Sequence, residues 1–285
     1  MSIIKATRAA RNHRLDQYVV AVTPESSRAF ATRLIEDGKV LVNDLPQLKP
    51  GYKLRAADQV RIDYVAEDQV QPEDVAMEIL YEDKDCVVIN KPVGLLTHSK
   101  GAFNPEPTVA SWLSKRVSGL KGERAGIVHR LDRATSGVMI CAKTPEALSW
   151  LQKQFSTRKV KKTYVAIVEG SLSLPEAIID MPIERNPKKP QTFRVGSNGK
   201  AAVTAYKVLQ TGPERSLIEL RPTTGRTHQL RVHLAHIKHP IVGDTFYHGV
   251  KADRLLLHAL SLEITLPNRQ RKIFTASLPA EFKVS

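Results

Sequence analysis

The run His129-Arg130-Leu131-Asp132-Arg133-Ala134-Thr135-Ser136-Gly137 sets one carboxylate between two guanidinium groups and closes on a glycine. A carboxylate among cations stays ionised at neutral pH, which suits a nucleophile or a base and not an acid. The apolar run Val138-Met139-Ile140-Cys141-Ala142 follows and predicts a buried strand. The charged residues then belong to a turn that a rigid element can aim. Taken alone, the run reads first as a structural Asp capping a turn with solvated arginines around it.

Two more clusters bear on this choice. Lys161-Lys162-Thr163-Tyr164-Val165 puts an aromatic ring just after two cations. Such a ring is either a core tyrosine or a stacking platform, and base stacking is worth about 1–3 kcal/mol for any base. Gly225-Arg226-Thr227-His228-Gln229-Leu230-Arg231 predicts a helix on which Arg231, three positions after His228, lies on the same side. Arg231 there either faces solvent or keeps a neighbouring carboxylate ionised.

Other chemistries lack their signatures. His228, His233, His236 and His239 crowd one segment, with His248 and His258 beyond, but no HExxH spacing or cysteine joins them, so no metal is expected. GxSxG, a Gly-rich phosphate loop and a dinucleotide fingerprint are absent. A standard glycosidase needs two carboxylates flanking the bond, whereas the neighbours of Asp132 in sequence are cations. Chemistry with a single carboxylate and no activated water is favoured.

These residues need elements to hold them. Ser26 or Ser27 can cap a helix through Phe30, Leu34 and Ile35 that stops at Gly38. Lys39–Asn43 and Gln59–Tyr64 read as strands around a turn at Pro50-Gly51. Ala66–Asp74 is acidic and contains Pro, as an exposed linker would be. Beyond it, Cys86–Ile89 and Lys162–Val168 predict strands, and Asn90–Gly94 a turn. Val109–Val117 and Pro145–Phe155 predict helices, the second with Pro at its start. Pro182–Gly199 reads as a polar loop. Val203–Leu209 and Leu217–Leu220 read as paired strands, Gly225 introduces a helix through Leu230, Leu234 and Ile237, and strands near Leu262–Leu266 and Ile273–Ala276 close the chain. Cys86 and Cys141 fall inside apolar runs, as buried free thiols. The expected class is α+β, with a small N-terminal α/β unit ahead of a mixed, mostly antiparallel sheet flanked by helices.

The totals narrow the partner. The chain has 285 residues, 42% of them apolar, with a net charge of +14. Residues 67–85 are acidic, and most of the basic excess lies beyond them. A strongly basic body implies a polyanion, in the cytosol usually nucleic acid. No apolar run approaches the roughly 20 residues of a membrane span, and Met1–Arg8 lacks the apolar stretch of a signal peptide. A cytoplasmic monomer without membrane partners is expected.

Residues 13–66 resemble the S-four-type RNA-binding domain through Arg14-Leu15-Asp16, Ser27-Arg28 and Gly38-Lys39-Val40-Leu41-Val42-Asn43. Arg14, Arg28, Arg33 and Lys39 would form its basic face. The rest resembles the RluA-type RNA pseudouridine synthases. The match includes Val88–Leu95, His129–Gly137, Lys161–Val165, Thr224–His233, His239–Asp244 and Leu255–Ala259. This divides the chain into a tail (1–12), the RNA-binding domain (13–66), an acidic linker (67–76) and a catalytic domain (77–285).

The resemblance implies isomerisation of a uridine within RNA, without a cofactor. The glycosidic bond breaks, the freed uracil rotates, and ring carbon 5 joins the ribose. Asp132 would attack the sugar or remove a sugar proton. Tyr164 would stack on the uracil and assist at ring carbon 5, and Arg231 would pair with Asp132. Arg130 would help displace the target base, with His129, Arg226 and His228 also on the RNA. A base inside a helix must be flipped out at a cost of a few kcal/mol, which basic backbone contacts offset. The N-terminal unit points to large-subunit ribosomal RNA or an assembling subunit. A transfer-RNA synthase and a non-catalytic RNA-binding or ribosome-assembly protein are the alternatives.

Overall fold

The computed structural model describes residues 2–5, 12–23, 28–63, 75–98, 106–117, 119–120, 124 and 126–284. The expected Ser26/Ser27 cap, Tyr64 and the core of the acidic linker lie outside them. The chain divides into two compact units, residues 1–74 with 98–107 and residues 75–97 with 108–285.

The first unit has two helices and a small antiparallel sheet. α1 (Leu15–Val22) and α2 (Arg28–Glu36) precede β2 (Val40–Val42), β3 (Leu45–Pro46) and β4 (Gln59–Ile62). Residues Ser2–Lys5, expected in a tail, form β1, and the sheet order is β1-β4-β2-β3. Leu15, Val19, Leu34, Ile35, Val40, Val60 and Ile62 meet in one core. α2 ends as its sequence predicts. Gly38 takes φ +71°, and the N–H groups of Gly38 and Lys39 return to the carbonyls of Ile35 and Leu34 at 3.0 and 2.8 Å.

In the second unit nine strands form one mixed sheet. These are β5 (Glu78–Glu82), β6 (Cys86–Lys91), β7 (Ser136–Ala142), β8 (Lys161–Glu169), β9 (Glu176–Asp180), β12 (Val203–Thr211), β13 (Arg215–Pro222), β14 (Leu257–Thr265) and β15 (Arg271–Thr275). Their order is β5-β6-β7-β14-β8-β13-β12-β9, with β15 paired to β14 at Ser261–Thr265, beyond the residues that pair with β7. Only the β7–β14 pair is parallel. Every residue of β7 is buried, because both its faces are covered. Val138 and Ile140 pack with α4 (Pro145–Ser156), while Met139 and Cys141 pack with α3 (Val109–Ser114). A strand covered on both faces has no polar side to alternate with, which explains its unbroken apolar run. α3 stops at Ser114, short of the expected Val117. α5 (Gln229–His236) covers the other end of the sheet with Leu230 and Leu234.

The stretch Pro182–Gly199 is not a loop throughout. It contains a hairpin of β10 (Ile183–Arg185) and β11 (Phe193–Val195), pairing Ile183 with Val195 and Arg185 with Phe193. Only Ile183 is fully buried in these two strands, with Phe193 and Val195 half-buried against it, and at three residues each they are too short for a clear periodic signal. Cys86 and Cys141 are free and buried.

Candidate active site

The loop carrying Asp132 is tied down residue by residue. Lys91 has no exposed surface, and its ammonium donates to the carbonyls of Pro92 and Leu95, both at 2.8 Å, and of Arg133 at 3.4 Å. Burial lowers its pKa to about 7, although Asp132 pulls the other way. Thr97 donates its hydroxyl to the Leu131 carbonyl at 2.7 Å and accepts the Leu131 N–H at 3.2 Å. The Thr135 N–H closes a turn on the Asp132 carbonyl at 3.0 Å. After it, Gly137 (φ +115°) pairs with Ala259 of β14, where any Cβ would overlap the Ala259 carbonyl. Ala259 also pairs with Tyr164 of β8. Three adjacent strands thus bring the Asp132 loop beside the Tyr164 ring.

A cavity of about 580 Å³ opens there. His129, Arg130, Asp132, Tyr164, Arg226, His228 and Arg231 all line it, so the three clusters far apart in sequence meet at one place. Asp132 is partly exposed at the cavity wall. Its Oδ2 lies 3.7 Å from both His228 Nε2 and Arg231 Nη1, beyond hydrogen-bond reach. Tyr164 is half-buried, and burial together with the Asp132 charge raises its pKa, so it stays a neutral phenol. Arg130 is exposed at the rim. Lys162 donates to the Thr224 carbonyl at 3.0 Å, and burial lowers its pKa to about 8.

Several expectations change. The main partner of Arg231 is Asp244, which it holds through two hydrogen bonds of 2.7 Å, with Asp132 farther away. A second carboxylate therefore stands behind the first, fully buried and already committed to its arginine. His129 is no cation for RNA. Burial drops its pKa to about 3, Nε2 accepts the Ile140 N–H at 3.2 Å, and its ring stacks on Phe155 with centroids 4.5 Å apart. His129 anchors the loop to β7 and α4. His228 precedes α5 as its cap, in a left-handed conformation (φ +56°), so helix spacing does not relate it to Arg231. His233 is buried between the Thr204 hydroxyl at 3.0 Å and the Met181 carbonyl at 2.9 Å. Among the described residues no three of His, Cys, Asp and Glu gather as a metal site.

Arg14, Arg28, Arg33 and Lys39 belong to the first unit. Arg14 and Arg28 both bind the buried Asp16, with their Nε atoms at 3.0 and 2.9 Å. Arg33 lies 3.9 Å from Asp37, and Lys39 is exposed.

Sequence reasoning missed Asp244, Tyr247, Lys91 and the Gln229 network. Gln229 accepts from the Thr224 hydroxyl (2.7 Å) and the Arg226 N–H (3.0 Å). It donates to the Val203 carbonyl and the Thr204 hydroxyl, both at 3.0 Å, which fixes the loop before α5. Asp244 and Lys91 stood inside segments that carried the family resemblance, which was the available signal.

One carboxylate, Asp132, faces the cavity, with the neutral phenol of Tyr164 on β8 beside it and Arg130 exposed at the rim. Comparison with known proteins gives the chain its family. Residues 85–236 match the RNA pseudouridylate synthase model, and residues 13–60 match the S4 domain model. An RNA pseudouridine synthase of Aquifex aeolicus, itself uncharacterised, is 40% identical over 257 residues, covering 87% of this chain and 81% of its own. The ribosomal large subunit pseudouridine synthase D of Escherichia coli K12 is 38% identical over 273 residues, covering 89% and 83%. Human RNA pseudouridylate synthase domain containing 4 superposes with a TM-score of 0.58 at 31% identity, covering 72% of this chain and 90% of its own. The chain belongs to the RNA pseudouridylate synthase family.

Proposed function

We propose that this chain isomerises specific uridines of large-subunit ribosomal RNA to pseudouridine, with Asp132 as the carboxylate that engages the ribose. The observation that carries the reading is the meeting of Asp132, Tyr164 and Arg130 at one cavity. The target nucleotide leaves its stack and enters beside Tyr164, whose neutral ring supports the uracil. Exposed Arg130 braces the space that it vacates. Asp132, with Oδ2 turned toward His228 and Arg231, meets the sugar. The N1–C1′ bond breaks, the C5–C1′ bond forms and the proton on C5 ends on N1, so no atom is gained or lost. The buried side chains of Leu131 and Leu257, which line the cavity, keep water from the detached base.

Relatives named for the ribosomal large subunit support the substrate, as does the S4 match over residues 13–60. In this reading residues 13–66 form a separate RNA-holding domain, joined through 67–76 to the catalytic domain at 77–285, and the protein acts as a monomer. The test is pseudouridine mapping in RNA from a deletion strain and its parent, followed by reaction of the purified protein with ribosomal and transfer RNA transcripts. Sites lost from large-subunit RNA and restored by the protein are expected. Loss confined to transfer RNA would contradict the substrate, and no lost site would favour a non-catalytic binding protein.

A further inference from the structure

His228 stands closer to the chemistry than an RNA contact requires. It caps α5 in a left-handed conformation that costs a non-glycine residue energy, and such strain persists only where surroundings over-determine it. Those surroundings are specific. Nδ1 lies 2.8 Å from the Tyr247 hydroxyl, and the ring sits edge-on to Tyr247 and Phe193, each with centroids 5.7 Å away. The Tyr247 oxygen already accepts the Phe193 N–H at 3.0 Å, which leaves its own proton free to go to Nδ1. A ring that accepts at Nδ1 carries its proton on Nε2, the atom facing Asp132 Oδ2.

The same short turn fixes the other neighbour of Asp132. Thr245–Tyr247 form one 3₁₀ turn, and Asp244 just before it holds Arg231 by two bonds. The Arg231 guanidinium also lies over the rings of Phe246 and Tyr247, at 5.6 and 5.1 Å. Two aimed donors thus converge on a single oxygen of Asp132.

We propose that His228 is a positioning residue for the reaction: its Nε2–H, aimed by Tyr247, holds Oδ2 of Asp132 so that Oδ1 faces the ribose. This rests on Asp132 being the reacting carboxylate. Nε2 stands 3.7 Å from Oδ2, and contacts of this kind tighten as a reacting complex forms. The ring is neutral. Burial lowers its pKa, reinforced by Arg231 and Arg130 and opposed by Asp132 and Asp244.

The test compares His228→Asn with His228→Gln under single-turnover conditions on a large-subunit RNA transcript. Asn tolerates the left-handed backbone and reaches Tyr247, but it is too short for Asp132. Gln carries an N–H out to where Nε2 sits. His228→Asn should slow the chemical step about 10- to 100-fold, the worth of a hydrogen bond to a charged group, at unchanged RNA affinity. His228→Gln should recover part of that rate, and Tyr247→Phe should slow the step at unchanged affinity. A role in RNA binding alone would instead weaken affinity and spare the rate. A purely structural cap would make Asn at least as good as Gln. Either result, or full activity in Tyr247→Phe, overturns the proposal. Should the His228 variants unfold early, Tyr247→Phe decides alone. An active Asp132→Asn would instead remove the reading on which the proposal stands.

Discussion

Arg14-Leu15-Asp16 and Arg130-Leu131-Asp132 are the same three residues in the same order, and the two units use them in opposite ways. Asp16 is 2% exposed and accepts four hydrogen bonds. They come from Arg14 Nε at 3.0 Å and Nη2 at 3.1 Å, Arg28 Nε at 2.9 Å and the Gln17 N–H at 3.0 Å. The bond from Arg14, helped by Arg28, holds its pKa down to about 2. Its flanking backbone is pinned, as Leu15 and Asp16 donate to the carbonyls of Tyr52 and Pro50 at 2.8 and 3.0 Å. At Asp132 the pinning falls on Leu131 and on the carbonyl of Arg133, which leaves the carboxylate turned to a cavity and Arg130 in solvent. A carboxylate whose lone pairs are satisfied is architecture. One aimed into a cavity with its donors held at 3.7 Å is available for chemistry.

Mutations that remove either side's partners sharpen this contrast. Asp244→Ala strands Arg231, which is 7% exposed, and should cost about 3–5 kcal/mol of unfolding free energy, read from urea melts. Asp16→Ala should cost less, about 1–3 kcal/mol, because the arginines that it releases are half-exposed and keep their water. Its rate per folded molecule should stay that of the wild type. A large drop in that rate would break the comparison.

Acid should separate the units. His258 accepts or shares a proton with Ser136 at 2.8 Å, and its Nε2 has no partner among the described residues. Burial lowers its pKa from 6.5 to about 4, with Arg254 adding to the effect. The unfolded chain binds that proton first, so this contribution is full above pH 6.5 and is lost as pH falls toward 4. His129 acts in the same direction, down to about 3. Asp16 holds its contribution until pH falls below 3.8 and loses it toward 2. Amide exchange against pH should therefore show the second unit loosening first. The smallest expected change is Arg130→Ala, within about 0.5 kcal/mol of wild-type stability as for an exposed side chain, yet slower on structured RNA. Unaltered rates would remove Arg130 from the base-displacing role.

Much of the fold was legible because burial leaves a periodic trace. β7, β8, α2 and α4 carry apolar faces that pattern alone reveals. The β10–β11 hairpin was not, since each strand is only three residues long, the turn between them is polar, and Phe193 and Val195 are only half-buried beside Ile183. β5 and β9 were missed for a similar reason, with Ile79 and Ile178 exposed. In the site, Asp132, Tyr164 and Arg231 could be picked out, but the allegiance of Arg231 could not. Asp244 is thirteen residues away, and nothing in local spacing says which of two carboxylates a buried arginine will grip. For His129 the resemblance implies RNA, and nothing local announces that its ring also stacks on Phe155 and accepts the Ile140 N–H.

On the proposed function Asp132, and not its satisfied counterpart Asp16, does the chemistry. The most direct measurement is tritium release from RNA labelled at uracil carbon 5, with Asp132→Asn and Asp16→Asn assayed beside the wild type. Asp132→Asn should still bind RNA and unfold as the wild type does, while release slows by about 10⁴-fold, and Asp16→Asn should release tritium normally. Release from Asp132→Asn at the wild-type rate would contradict the account.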